Sequence, residues 1–416
     1  MKQGLGRWWG VVTLMMAVVI AYVDRVTVSV LIVDADFLKA FGIEGDRAGQ
    51  GALMTTFLFG YGIAALVLTP VYERFLGYRR GLLLSVGAWA ALTALSPLMG
   101  SLFALLVVRA LLGASEGPLF SLKTMYVSDW FSPQERGKPN AVSSMGVSLG
   151  LAVGFPLVSW LLQHHGWHAS FHVLAALNLL FGLPLIHFFV HQHPSRPGAS
   201  GVKATPRSLA QTVRGALRMP HLGAMLLVEI FTLAYLWGST SWLPAYLVSD
   251  KGLSIRQMGW MSSLPFIVGI AANLLGGVFV DMLPARRVPL IFTVFGLLCA
   301  ASVACLIQTT TTMETLAFLL AASAFWSLQG AAIPSIVQQL SPAQSVGSAY
   351  GIINGVGNMA AAFMPLAMGS MMKQHVAGGF SLLVISQIGA ALGGLWITWR
   401  WHASRGAGAA SPLSAA

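Results

Sequence analysis

Arg109, Glu116 and Lys123 are three charges set seven residues apart in an otherwise apolar stretch, RALLGASEGPLFSLKTMYV. Seven residues are close to two helical turns, so the three side chains share one helix face at intervals of about 10.5 Å. A charge near the centre of a bilayer costs roughly 2.5–3.5 kcal/mol on insertion scales. Three aligned charges therefore need a polar interior to face. The chemistry this points to is a path or site for a charged solute, which a simple membrane anchor would not need. Asp24 and Arg25 stand inside another apolar run, and Glu229 is a lone acid in a third.

The elements that must position these groups follow from composition. The chain has 416 residues, 56% hydrophobic and 9% charged, with a mean hydropathy of +0.74. Soluble domains carry about 25% charged residues, so a polytopic membrane protein in a lipid bilayer is predicted. The net charge of +11 does not indicate nucleic acid, because the basic residues lie in short turns between apolar runs. Cys299 and Cys305 lie six residues apart in one apolar run. That is about 9 Å along a helix, too far for a disulfide, and both read as packing residues. The first run, from Trp8 to about Val33, is too long for a cleavable signal peptide.

About twelve apolar runs reach spanning length. Six cover roughly 8–33, 50–71, 81–99, 101–128, 141–163 and 168–190; six more cover roughly 221–248, 258–281, 288–308, 313–338, 347–373 and 379–400. Between the sets, His191 to Pro220 is rich in Pro, Gly, Ser and basic residues and reads as a linker. The expected division is a first six-helix half over 1–190, the linker over 191–220, a second half over 221–402 and a short tail over 403–416. One side receives Lys2, Arg7, Arg74, Arg79, Arg80, Arg136, Lys138, Arg196, Lys203, Arg207, Arg214, Arg218, Arg286, Arg287, Arg400 and Arg405. The other receives only Lys39, Arg47, Lys251, Arg256 and Lys373. By the positive-inside rule both termini and the linker are cytoplasmic, in a plasma membrane and most simply a bacterial inner membrane.

An internal repeat supports the two-half plan. Glu73 precedes Arg74, Arg79 and Arg80 after the second run, and Asp281 precedes Arg286 and Arg287 after the eighth. Two halves related by a pseudo-twofold axis are the plan of major facilitator transporters. Each acid can cap a helix N-terminus or pair with Arg, so these turns read as a cytoplasmic gate. Positive-inside anchoring alone explains the arginines but not the matched acids.

With this architecture, Tyr22-Val23-Asp24-Arg25 and RALLGASEGPLF followed by WFSPQERG resemble the anion:cation symporter family, a branch of the major facilitator superfamily. Ser241–Leu247, the Leu340-Ser341-Pro342 turn and Asn354-Gly355-Val356-Gly357-Asn358 fit the same pattern. Thr69, Glu73, Ser121 and Lys123 depart from it, standing where Gly, Asp, Pro and Asn are commoner. The resemblance implies an all-α protein of the major facilitator fold, importing a small organic anion with protons and functioning as a monomer without a cofactor. It implies proton coupling at Asp24 and Glu116 and anion handling at Arg25 and Arg109. Counted from Pro342, Asn354 matches a position that contacts substrate.

Depth along the runs makes the same residues plausible partners. Asp24 and Arg109 fall at matching depth, with Glu116 two turns deeper, so Asp24 and Arg109 can pair between the first and fourth runs. Arg25 has two readings, a counterion for Asp24 or Glu116 and a fork for a substrate carboxylate. Tyr22 and Tyr61 are candidate hydroxyl contacts, with packing as the alternative. Lys123 is expected to snorkel to the cytoplasm, with a second positive site on the exit route as the alternative. Glu229 is a possible third titrating group or a packed, hydrogen-bonded acid; Gln329, Asn358 and Asn273 are further candidates.

Other functions find little to stand on. His164, His165, His168 and His172 are broken by Gly166 at a loop, so no metal site is expected. There is no phosphate-cradling Walker loop and no nucleophile–base arrangement, which argues against an ATP-driven pump or an enzyme. An exchanger or exporter of the same fold is the alternative, with a non-transporting sensor further off. For the substrate, Val147 stands where sugar-acid members can have Gln, an indication of a less hydroxylated or aromatic acid.

Overall fold

The computed structural model describes residues 2–32, 34–44, 46–193, 208–253, 255–371 and 376–406. Arg196, Lys203, Arg207 and Lys373, part of the charge count above, lie outside these residues, as does most of the tail. Every regular element among the described residues is helical. The first part of the chain forms α1 (Lys2–Leu31), α2 (Ala35–Phe41), α3 (Arg47–Val71), α4 (Gly77–Leu95), α5 (Leu102–Glu116), α6 (Leu119–Trp130), α7 (Gly137–Leu177) and α8 (Leu183–Phe189). Then come α9 (Leu209–Leu217), α10 (Leu222–Ser249), α11 (Ile255–Met282), α12 (Leu290–Gln308), α13 (Thr312–Ser327), α14 (Ala332–Leu340), α15 (Val346–Ala361), α16 (Met364–Met371) and α17 (Ser381–Gly406). In a bilayer every backbone polar group must be satisfied within its own segment, which leaves helices for a chain of this hydropathy.

Among the described residues, ten continuous helical spans are long and apolar enough to cross a membrane, against the twelve runs of the sequence. Two of them are double length, Ala52–Leu98 with 47 residues and Gly137–Phe189 with 53. About 20 residues cross a bilayer core, so each is long enough for two crossings. Each is interrupted once by a left-handed residue, Gly77 at φ 68° and Gly166 at φ 74°. Only glycine takes that conformation without steric cost, so these are the positions where a helix pair can fold back.

Elsewhere the runs split more finely than expected. The fourth run breaks between α5 and α6 at Gly117-Pro118, where proline has no N–H to continue the ladder. The tenth breaks between Ser327 and Ala332, and the eleventh after Ala361, shortly before Pro365. The linker holds an unexpected element, α9, started by a capping box in which Ser208 and Gln211 exchange side-chain and backbone hydrogen bonds. Cys299 is buried and donates to the Ala322 carbonyl at 3.3 Å, while Cys305 is exposed, so only the first is a packing residue. The reason is their six-residue offset, which turns them to different helix faces.

α1 packs along α7, α3 along α5, and α17 against both α10 and α12. Contacts between the two parts of the chain are made by α7 with α11 and by α3 with α15. Close approach there depends on small residues. A Cβ at Gly355 would stand 2.7 Å from the Gly62 carbonyl oxygen. One at Gly113 would stand 2.9 Å from the Tyr61 amide nitrogen and nearer still to the Phe57 carbonyl oxygen. Gly113→Val is therefore expected to push α5 off α3 at a cost of about 1–3 kcal/mol. The thermal midpoint of the purified protein should fall clearly; an unchanged midpoint would mean the two helices are not held in this packing.

Candidate functional site

Two buried ion pairs stand between α1 and α5. Arg25 donates from Nε at 3.1 Å and from Nη2 at 3.0 Å to the same oxygen, Glu116 Oε2, with both side chains almost wholly out of solvent. Glu116 is the last residue of α5, so its carboxylate sits where Gly117-Pro118 interrupts the helix. The Arg25 guanidinium also lies over the rings of Tyr22 at 4.5 Å and Tyr61 at 4.9 Å, distances at which a ring face attracts a cation. The second pair is looser. Arg109 Nη1 stands 3.8 Å from Asp24 Oδ1, while Asp24 Oδ2 accepts from Trp89 Nε1 at 2.7 Å and Thr93 Oγ1 at 2.9 Å. None of the three Arg109 guanidinium nitrogens has a hydrogen-bond partner among the described residues. Consecutive helix residues point about 100° apart. That is why Asp24 turns to α4 while its neighbour Arg25 meets the end of α5.

A hydrogen-bonded line leads from this cluster into the other part of the chain. Tyr61 donates its hydroxyl to Asn354 Oδ1 at 2.8 Å, and Asn354 Nδ2 donates to Glu229 Oε1 at 2.9 Å. Asn358 Nδ2 donates to the Asn354 carbonyl at 2.8 Å, and Asn358 Oδ1 accepts from Trp237 Nε1 at 3.0 Å. The Trp237 ring in turn stacks on Tyr22, 6.4 Å between centroids and 5° from parallel. Glu229 is thus a hydrogen-bonded acid at the contact between α10 and α15.

Between these groups lies a cavity of about 90 Å³, lined among others by Tyr22, Arg25, Tyr61, Ser144, Val147, Glu229, Asn273, Gln329, Asn354 and Asn358. Its walls offer one guanidinium, one carboxylate, the three phenols of Tyr22, Tyr61 and Tyr350, and four amides, together with the apolar faces of Phe120, Trp326 and Ile333. Gln329 donates to Gln387 Oε1 at 3.1 Å, and its own Oε1 and the Asn273 Oδ1 have no partner among the described residues. Asp24, Arg109 and Glu116 do not line the cavity. They stand behind Arg25 and its rings, so a single charged residue of the first cluster reaches the open space.

Lys123 departs from expectation. It does not snorkel: the residue is 1% exposed and Nζ donates to Ser144 Oγ at 2.8 Å, 4.7 Å from the Phe120 ring centroid. Lys123 lies seven residues before Trp130, the end of α6, which is about 10 Å of helix. Ser144 on α7 is a nearer polar group than the interface, and the stem turns inward.

At the arginine-rich end, both repeated acids cap helices across the chain. Glu73 accepts from the Gly347 amide at 2.9 Å and the Ser348 amide at 2.7 Å, and also from the Ser348 hydroxyl, at the start of α15. Asp281 accepts from the Gly137 amide at 2.7 Å and the Lys138 amide at 3.1 Å, at the start of α7. The first amides of a helix lack internal partners and carry the positive end of its dipole, so a carboxylate is well placed there. Arg74, Arg79, Arg80, Arg286 and Arg287 make no ion pair with either acid among the described residues. Arg79 instead donates to the His187 carbonyl at 2.9 Å.

Four contributors were not singled out from sequence. Arg136 donates to the Gln338 carbonyl at 2.9 Å, and Asn140 donates to Gln338 Oε1 at 2.8 Å, tying α7 to α14. Trp237 and Trp326 line or support the cavity at mid-depth, whereas tryptophan in membrane helices is usually enriched at the interfaces. That displaced position was the readable signal. Outside the spans, the Ser132 hydroxyl, with Arg7 beside it at 3.4 Å, holds the Glu135 carboxyl below its usual range.

Comparison with known proteins places the chain among transporters. A family model described as Major Facilitator Superfamily matches residues 14–365. The chain is 26% identical to a probable galactarate/D-glucarate transporter of Escherichia coli (strain K12), over 85% of each chain. It is 27% identical to a hexuronate transporter of Bacillus subtilis (strain 168), over 88% of each. Among solved structures, a proton:xylose symporter bound to 6-bromo-6-deoxy-D-glucose superimposes with a TM-score of 0.72 at 14% identity, over 94% of each chain.

Proposed function

The chain belongs to the Major Facilitator Superfamily, and from that premise we propose that it imports a small organic carboxylate together with protons by alternating access. The observation that carries this reading is Arg25, a guanidinium in the cavity wall whose fork is already held by Glu116. A substrate carboxylate competes with Glu116 for that fork. Protonating Glu116 weakens its hold, so arrival of the anion and uptake of a proton favour one another. Asp24 and Arg109, one step behind, form a second pair that a proton can loosen. In this reading Asp24 and Glu116 couple protons and Arg25 and Arg109 handle the anion. Tyr22, Tyr61, Asn354 and Gln329 contact the bound molecule, and Glu73 and Asp281 with their arginines form the cytoplasmic gate.

The arginine-rich end is then cytoplasmic, with both termini on that side of a plasma membrane, and the protein works as a monomer of two six-helix halves joined by 191–220. The relatives' names point to sugar acids. The cavity supports that class over the less hydroxylated acid read from Val147, because Asn273, Gln329, Asn354 and Asn358 offer amides where hydroxyls need partners.

Uptake into proteoliposomes tests the reading. D-Gluconate, D-glucarate, D-glucuronate and benzoate are offered with and without an inward proton gradient. A sugar acid should accumulate above equilibrium and leak back on addition of a protonophore. Asp24→Asn and Glu116→Gln should lose accumulation while keeping exchange. Full accumulation in both variants would remove these acids from the coupling scheme, and accumulation indifferent to the protonophore would favour an exchanger.

A further inference from the structure

Lys123 is the buried cation that the scheme above leaves unused. Arg25 and Arg109 each have a carboxylate within 4.0 Å, whereas Lys123 has none among the described residues. An unpaired ammonium in low dielectric is costly, and a chain retains one where something repays it. Lys123 stands directly behind two residues of the cavity wall, Ser144 and Phe120. An ammonium has three donors, and the one bond shown goes to Ser144 Oγ. By accepting from Lys123, the Ser144 oxygen leaves its own hydrogen to donate, and among the described residues it donates to no group. A hydroxyl polarised in this way, with a full positive charge behind it, is a strong donor for an anion.

Lys123 lies seven residues beyond Glu116, the partner of Arg25, on the far side of the Gly117-Pro118 break, so the two positive centres are served by different segments of the run. One carboxylate cannot engage both. Glu229 faces Lys123 from α10 and the two act on each other electrostatically. No ion pair joins them among the described residues, and the Glu229 carboxylate accepts from Asn354 at 2.9 Å.

We propose that Ser144 and Lys123 form a second anion station, and that the transported acid is a dicarboxylate held at one end by Arg25 and at the other by this pair. The proposal rests on the organic-anion reading and narrows its substrate class. A monocarboxylate would fill the Arg25 end and leave the Lys123 charge uncompensated; a dicarboxylate compensates both.

Binding to the full chain in lipid nanodiscs, measured by titration calorimetry, tests this with matched probes: D-gluconate against D-glucarate, and hexanoate against adipate. In at least one pair the dicarboxylate should bind on the order of tenfold tighter, the worth of one further charge-assisted hydrogen bond. Lys123→Gln and Ser144→Ala should each reduce that preference to about twofold by weakening the dicarboxylate alone. Lys123→Met should not lower the thermal midpoint of the ligand-free protein, because it removes an unpaired buried charge. A preference that survives Lys123→Gln overturns the station. So does an equal loss of both members of a pair, which would place Lys123 in the conformational cycle with Glu229. Monocarboxylates binding as tightly as dicarboxylates to the unaltered protein would overturn the dicarboxylate while leaving the organic-anion reading intact. Binding of no carboxylate, including those of the uptake panel, would overturn both.

Discussion

Uptake by an Arg25→Ala protein is expected to fall below detection, a loss of at least two orders of magnitude. The substitution removes the one guanidinium of the first cluster that reaches the cavity. It also leaves Glu116 buried without its ion-pair partner. Breaking a buried pair from one side costs about 3–5 kcal/mol, which is roughly a factor of 10² to 10³ or more in an equilibrium. Arg25→Lys should rescue poorly, because Nε and Nη2 act together on one oxygen and the planar guanidinium lies over two rings. A double variant, Arg25→Ala with Glu116→Gln, separates the two contributions. It should regain the thermal midpoint lost by Arg25→Ala, since no buried charge is stranded, and should still fail to transport. Initial rates in proteoliposomes together with melting curves decide this. Restored transport in the double variant would reduce Arg25 to a counterion.

Replacing both capping acids, Glu73→Ala with Asp281→Ala, is expected to open the arginine-rich end. Each carboxylate binds two backbone amides at the start of a helix from the other part of the chain. Hydrogen bonds to a charged group contribute about 1.5–3 kcal/mol each. Losing both caps removes four such bonds, about 6–12 kcal/mol, from the state in which that end is closed. A bias of about 5.5 kcal/mol is enough to turn a 99:1 population into 1:99. Spin labels on the exposed turns near Arg80 and Arg287 should report a broad shift to longer distances, with each single variant intermediate. A distance distribution unchanged in the double variant would mean that Arg136 and the Asn140–Gln338 bond hold this end by themselves.

Much of this architecture follows from quantities that do not depend on partners. The cost of placing a charge in hydrocarbon is the same whichever group later meets it, so Asp24, Arg25, Arg109 and Glu116 were identifiable as an interior cluster from their positions in apolar runs. Helical rise is equally local, and the matching depth of Asp24 and Arg109 survives in their 3.8 Å approach. Hydropathy and the repeated acid–arginine turns carried the all-helical, membrane-spanning plan in the same way.

Which groups meet depends on how the helices pack. Arg25 had two eligible acids, and the turn of about 100° between consecutive residues on α1 assigned it Glu116 and gave Asp24 to Trp89 and Thr93. The capping acids had arginines close by in sequence, yet Glu73 binds amides up to 275 positions away, because a free helix start is a stronger site than a solvated arginine. Lys123 was read outward because a long stem can snorkel. It points inward because Ser144, on a helix that sequence spacing does not relate to it, lies closer than the interface. The cavity has the same origin. Tyr61, Glu229 and Asn354 come from three distant runs, and their hydrogen bonds exist only once α3, α10 and α15 pack.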